Sequence, residues 1–172
     1  RTIHENPELG DEEFETSKLI KRFLTENGIE FFEVINTGVV ATIYNDKENM
    51  ENKTVATRAD IDALPIFEEN DVDYKSKNTG KMHACGHDAH TTIQLGVAKV
   101  LAENKDKWHG TARFFFQPAE ETSGGSDRMI KAGALEFEKE KDRKIDAFFA
   151  LHMAPEIELG KIGLKYGKAH AS

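Results

Sequence analysis

Two runs in the chain, GTARFFFQPA (110–119) and IDAFFALH (145–152), are apolar almost throughout and rich in β-prone residues. A strand without polar alternation has both faces covered, and with helices between such strands this means a sheet layered against them. TVATRAD (54–60) reads as a third strand. All three run out into residues that carry chemistry. Asp60 and Asp62 follow TVATR, Gln117, Glu120 and Glu121 follow ARFFF, and His152 closes IDAFFAL. Open α/β sheets gather ligands and catalytic groups at the carboxyl ends of their strands. Three strands are therefore expected to deliver carboxylates and an imidazole to one edge.

The rest of the chain suits that architecture. Residues 11–28 carry Phe14, Leu19, Ile20, Phe23 and Leu24 at helical spacing, with Gly28 placed as a C-terminal cap. IEFFEVI (29–35) and GVVATIY (38–44) read as strands joined through Asn36 and Thr37. Residues 45–53 read as a polar turn and 62–81 as a long loop. Helix resumes near Ala89, with Ile93, Val97, Val100 and Leu101 on one stripe. A short helix is expected over 126–136, a solvated turn over 136–144 and a last strand over 160–166. The expected class is α/β, a mixed sheet flanked by helices.

Composition narrows the partners. At 172 residues and 38% hydrophobic, the chain is long enough for one domain with a real core. A net charge of -8 argues against nucleic acid or an anionic membrane face, both of which want clustered Lys and Arg. No apolar run is long enough to cross a bilayer, and no secretory segment is visible. The single cysteine cannot form an internal disulfide, so the expected location is the cytoplasm. The chain opens on Arg1 rather than Met, so further residues are expected ahead of it.

The densest chemistry lies in MHACGHDAH (82–90), which holds the only cysteine and three of the seven histidines. Cys85 and His87 sit two apart, so a turn can aim both at one ion. Thiolate, imidazole and carboxylate form the usual ligand set for first-row divalent metals, zinc above all. A structural zinc site would pair cysteines; a mixed set with carboxylates suits a catalytic site with a position open to water. His152 would complete that set, and Asp88 is placed to cap the following helix. In QPAEE (117–121), adjacent carboxylates point in different directions, which divides Glu120 and Glu121 into one ligand and one general base toward water. Blander readings compete. Cys85 alone suits a core position, or a thiolate nucleophile that would leave the paired glutamates unexplained. Asp60 and Asp62 alone suit loop solvation, and His83, His90, His109 and His170 read better as structural. For His4 the residues do not decide. SGGS (123–126) lacks the context of a phosphate loop.

Taken together, HENPELGDEE (4–13), TRADIDALPI (57–66), MHACGHDAHTT (82–92), FQPAEE (116–121) and LHMAPEIELGKIG (151–163) resemble the M20 metallopeptidase clan. The resemblance is to its amidohydrolase branch of hippurate hydrolases, N-acyl-amino-acid amidohydrolases and auxin-conjugate hydrolases. It implies a zinc-exopeptidase-like catalytic domain. By position, Cys85, His87, Glu121 and His152 match the metal ligands, Glu120 the general base and Asp62 the aspartate that orients a metal-binding neighbour. Asp60 stands where other branches carry a histidine ligand and is not assigned as one. Two divalent ions, zinc or manganese, are implied for the complete enzyme.

The same resemblance implies hydrolysis of N-acyl amino acids, with a dipeptidase or carboxypeptidase as the rival within the clan. A non-catalytic metal-binding piece is the rival outside it. Members of the clan are longer, so residues 1–172 are expected to be the N-terminal part of the catalytic domain. The inserted lid domain, through which a homodimer is allowed, and a returning catalytic segment are absent from it.

Overall fold

Alternation along β2 and β4 decides what the sheet buries on each side. The computed structural model describes residues 1–122, 124–137 and 139–164. Its elements are α1 (Thr2–Glu5), α2 (Phe14–Glu26), β1 (Glu30–Val34), β2 (Gly38–Asn45), β3 (Thr54–Asp60), α3 (His87–Glu103), a 3₁₀ turn (Lys105–Lys107), β4 (Gly110–Gln117), α4 (Gly125–Lys131) and β5 (Ala147–Ala150). The strands pair in the order β1-β2-β4-β3-β5. Pairing is antiparallel from β1 through β2 to β4, and β3 runs parallel to both β4 and β5, which gives the expected mixed sheet.

Successive side chains on a strand leave opposite faces. Val39, Ala41 and Ile43 of β2 and Ala112, Phe114 and Phe116 of β4 pack on one face with Ile20 and Leu24 of α2 and Leu95 and Ala98 of α3. Val40 and Phe115 take the other face, with Ala56, Met129 and Ala134. β4 is buried at every position, as its unbroken apolar run requires. On the second face Arg113 is buried too, donating to the carbonyls of Ala134 (2.9 Å) and Glu136 (2.6 Å) and lying 4.1 Å from the Phe137 ring centre. It fastens the segment after α4 to the sheet.

The topology creates the site. From β3 the chain crosses through α3 to β4, on one side of β3, and then through α4 to β5, on the other. Where strand order reverses in this way, the two connections leave the carboxyl ends in opposite directions and a crevice opens between them. The register places Asp60 of β3 opposite Gln117 of β4, and Arg58 opposite Ala150 of β5. All three strand ends therefore face the same edge.

Three expectations need correction. The stripe Ile93, Val97 and Val100 on α3 is exposed; the buried face is His87, His90, Thr91, Gln94, Leu95 and Ala98. Polar residues lie inward there because they meet strand ends: Thr91 donates to the Asp60 carbonyl (3.0 Å) and Gln94 to that of Phe115 (2.8 Å). Ile93 and Val97 instead line, with Phe149 and Leu151, a cleft of about 300 Å³ beside His90. The strand at 145–152 was expected to be buried, yet β5 is the sheet's outer strand, with Phe148 and Phe149 more than half exposed. No strand forms over 160–164, and Lys165, Tyr166 and His170 lie outside the described residues. No described helix is long and apolar enough to cross a membrane.

These two faces of the fold predict opposite mutational costs. Phe114→Ala should cost about 3–5 kcal/mol in a denaturant unfolding experiment. Val100→Ala, on the exposed stripe of α3, should stay within about 0.5 kcal/mol. Comparable losses at both positions would contradict the burial described.

Candidate metal centre

The centre is assembled around His87. After β3 the ladder continues for one step, with Ile61 N–H donating to the Gln117 carbonyl (2.9 Å), so Asp62 emerges directly beside the end of β4. The long loop then returns to its origin: Leu64 and Met82 exchange both backbone hydrogen bonds at 3.0 Å. That return brings residues 83–87 back against Asp62. Gly86 turns the chain into α3 with φ +87°, and a Cβ there would stand 2.8 Å from Met153 Cγ, so glycine admits the LHM segment.

Asp62, almost wholly buried, joins two parts of the centre. His87 Nδ1–H donates to its carbonyl (2.9 Å) and to its Oδ1 (3.2 Å), while Oδ2 accepts the backbone N–H of Glu121 (2.9 Å). With Nδ1 engaged, Nε2 is turned inward. It is buried and has no hydrogen-bond partner, with Asp60 Oδ2 at 3.5 Å and Glu121 Oε1 at 3.7 Å. Among the described residues, three trios have potential ligand atoms within 4.8 Å of one another: Cys85–His87–His152, His87–Glu120–Glu121 and Asp60–His87–His90. His87 belongs to all three.

Cys85, His87, Glu120, Glu121 and His152 are thus brought together from three loops, with Asp62 behind them. Cys85 Sγ lies 3.3 Å from His152 Nε2, and His152 Nδ1–H donates to the Met153 carbonyl (2.7 Å). In the third trio both Asp60 oxygens are engaged, Oδ1 by His90 Nδ1–H (2.6 Å) and Oδ2 by Arg58 Nη1 (2.7 Å). Asp60 is held more as a support than as an open ligand.

His90 reads from the sequence as structural, and the structure places that supporting role inside the centre. Besides Asp60 it holds the LHM segment, since its Nε2 accepts the Met153 N–H (2.8 Å). The available signal was its i+3 spacing from His87, which puts both rings on one face of α3. Asp88 does not cap α3; its carboxylate takes a hydrogen bond from His4 Nδ1 (2.9 Å), whose Nε2 reaches Glu68 (3.1 Å). This resolves His4, which ties α1 to the first turn of α3.

Comparison with known proteins gives the same picture. The model of Peptidase family M20/M25/M40 matches residues 56–170. The chain belongs to that family. It is 45% identical over 173 residues to an N-acetyl-L-cysteine deacetylase of Bacillus subtilis, covering 100% of this chain and 39% of the relative. To an IAA-amino acid hydrolase of Arabidopsis thaliana it is 45% identical over 168 residues, 97% of this chain and 36% of the relative. The crystal structure of the Bacillus subtilis YXEP protein, described as a dinuclear metal-binding peptidase from the M20 family, superposes with a TM-score of 0.84. Identity there is 42%, over 95% of this chain and 44% of the other. The chain spans less than half the length of these relatives.

The electrostatics of this M20 chain suit a cation. Burial pushes the Cys85 thiol up to about 12, and the charges of Glu121, Asp60 and Glu120 add to the effect. Burial opposes charge on His87, but the bond to Asp62 and the charges of Asp60, Asp62 and Glu121 outweigh it and raise its pKa. The Cys85 thiol therefore holds its proton near neutral pH, and protonation of His87 is favoured. An orphaned, buried Nε2 beside a thiol and carboxylates is what a divalent ion would complete. The residues fit the group.

An ion entering this cluster must displace those protons, so its affinity should rise with pH. Titration of zinc into the full-length protein between pH 6 and pH 8 should show binding strengthening by about tenfold per pH unit for each proton released. Calorimetry in buffers of different ionisation enthalpy counts those protons directly, and Cys85→Ser should lower the count. Affinity that is flat across this range would rule out the protonation states described.

Proposed function

We propose that the full-length protein carrying this chain is a metal-dependent amidohydrolase that cleaves the amide bond of N-acyl amino acids, releasing a free amino acid and a carboxylic acid. The observation that carries the reading is the buried, unpartnered Nε2 of His87 facing a thiol and carboxylates at the carboxyl edge of the sheet. The two relatives at 45% identity support the substrate class, since both are named for releasing an amino acid from an acyl amide.

In this reading Cys85, His87, Glu121 and His152 hold divalent ions, two in the complete enzyme, zinc or manganese. A bound ion of this kind polarises the scissile carbonyl and makes water nucleophilic near neutral pH. Asp62 keeps His87 in the Nδ1–H tautomer, so Nε2 presents a lone pair to the ion. Glu121 is steered by its own backbone, whose N–H is fixed on Asp62. Glu120, exposed and within 4.8 Å of His87 and Glu121, would take a proton from the attacking water and return it to the leaving amine. Residues 1–172 are then the N-terminal part of the catalytic domain, with a lid domain and a returning catalytic segment elsewhere in the full-length protein. The chain's share of its relatives' length supports that division.

Amine release from a panel of N-acyl amino acids and dipeptides, by the full-length protein with and without chelator, tests the reading. Expected is chelator-sensitive release, restored by zinc or manganese, that favours acyl amino acids. A metal-loaded protein inert toward the whole panel would refute it, and a preference for dipeptides would move it within the family. Glu120→Gln should lower kcat by about 10²–10⁴-fold with little change in KM. Near-normal turnover in that variant would remove Glu120 from the role of base.

A further inference from the structure

Ala119, which directly precedes the paired glutamates, has φ +50°, in the left-handed region that non-glycine residues rarely enter. It is also fully buried. A conformation of this kind persists only where its surroundings over-determine it. Here the surroundings come from a part of the sequence that the proposed chemistry does not use.

The carboxylate of Glu13 is fully buried beneath this turn. Its Oε1 accepts the Ala119 N–H at 2.8 Å and its Oε2 accepts the Thr37 hydroxyl at 2.7 Å. Burial raises its pKa, against the hydrogen bonds that favour its charge. The same N-terminal segment closes over the turn from the side: a Cβ at Gly10 would lie 2.5 Å from Thr122 Oγ1 and 3.1 Å from Ala119 Cα. From below, Gly125 donates its N–H to the Ala119 carbonyl (3.1 Å), and a Cβ there would lie 1.7 Å from the Pro118 oxygen. Residues 8–9 also pair with Ala63, next to Asp62, through Ala63 N–H to the Glu8 carbonyl (2.8 Å). One segment, PELGDEE, thus braces both loops that carry the carboxylates.

We infer that Glu13 is a positioning residue, whose hydrogen bond to the Ala119 amide holds the left-handed turn that aims Glu120 and Glu121 into the centre. The inference rests on the amidohydrolase reading for what the glutamates do, but not for the turn itself. Glu13 touches neither metal nor substrate. Its effect passes through backbone geometry, and misplacement of a reacting group by about 1 Å can cost roughly 10²-fold in rate.

The test uses four forms of the full-length protein besides wild type: Glu13→Ala, Glu13→Gln, Ala119→Gly and the double variant Glu13→Ala/Ala119→Gly. Glu13→Ala should lower kcat by about 10–100-fold with KM within about twofold. Glu13→Gln keeps a carbonyl oxygen for the Ala119 amide and should retain most of kcat. Glycine enters the left-handed region without penalty, so the double variant should recover at least about fivefold over Glu13→Ala. A structural role unconnected with the turn would give no such rescue. Hydrogen exchange of the amides over 117–122 reads the turn whether or not the protein is active. Exchange there should quicken in Glu13→Ala while the β1–β2 hairpin stays unchanged. Unchanged kcat and exchange in Glu13→Ala, a loss that Ala119→Gly does not relieve, or uniform acceleration across the chain would each overturn the inference. Absent turnover in the wild type, with exchange responding as described, would instead refute the amidohydrolase reading and leave the positioning role standing.

Discussion

The buried carboxylate of Asp62 is the interaction on which the centre depends. Each of its two oxygens serves a different strand connection: one orients the His87 ring at the start of α3, the other fixes the Glu121 backbone after β4. A buried carboxylate is costly unless its acceptors are used. Here both are used, and by groups whose placement would otherwise rest on flexible loops. Asp60 makes the corresponding link on the other side, joining β3 through His90 to the segment after β5. The two aspartates flank a single residue, Ile61, so one strand end sets the position of all three connections.

That economy follows from the reversal of strand order. Because β4 and β5 lie on opposite sides of β3, the residues after each strand approach the end of β3 from opposite directions. α3 then inserts its first turn between them. The polar character of that turn is the consequence. His87, His90, Thr91 and Gln94 replace the apolar contacts a helix would usually make, and each satisfies a carbonyl or carboxylate at a strand end. The lower turns, with Leu95 and Ala98, do the packing.

This division explains what was readable in the sequence. Strand ends carrying carboxylates can be recognised because apolar runs such as FFF (114–116) give way within a few residues to charge, and the class of fold follows from the alternation of elements. The inward face of α3 could not be read from periodicity, because four of its six buried residues are polar while Ile93, Val97 and Val100, which are apolar, are exposed. His90 was hidden for the same reason: a helix-face imidazole gains meaning only once its partners, Asp60 and Met153, are known to be near. β5 reads as buried from composition, yet among the described residues it is the end strand of the sheet, with one edge unpaired. The role of Glu13 leaves no sign in the sequence, since its partner Ala119 lies more than a hundred residues away and the left-handed turn there carries no glycine to mark it.

Charge balance completes the argument for a cation. Asp60, Asp62, Glu120 and Glu121 surround a site whose ionic partners are Arg58 and the imidazoles. Burial, reinforced by the charges of Glu121, Asp60 and Glu120, favours the protonated Cys85 thiol; on His87 burial opposes charge, but the bond to Asp62 and the neighbouring carboxylates favour the protonated ring. Those protons are the weakest available answer to the negative charge, since each brings one positive charge or merely withholds a negative one. A divalent ion answers the same field with two charges, beside a buried nitrogen that makes no hydrogen bond. The arrangement that makes thiol and imidazole poor acids in the metal-free protein is therefore the one that makes them ligands when an ion is present. Asp62 ensures that, once the proton leaves, the lone pair of Nε2 points toward the carboxylates of Asp60 and Glu121 and not away from them.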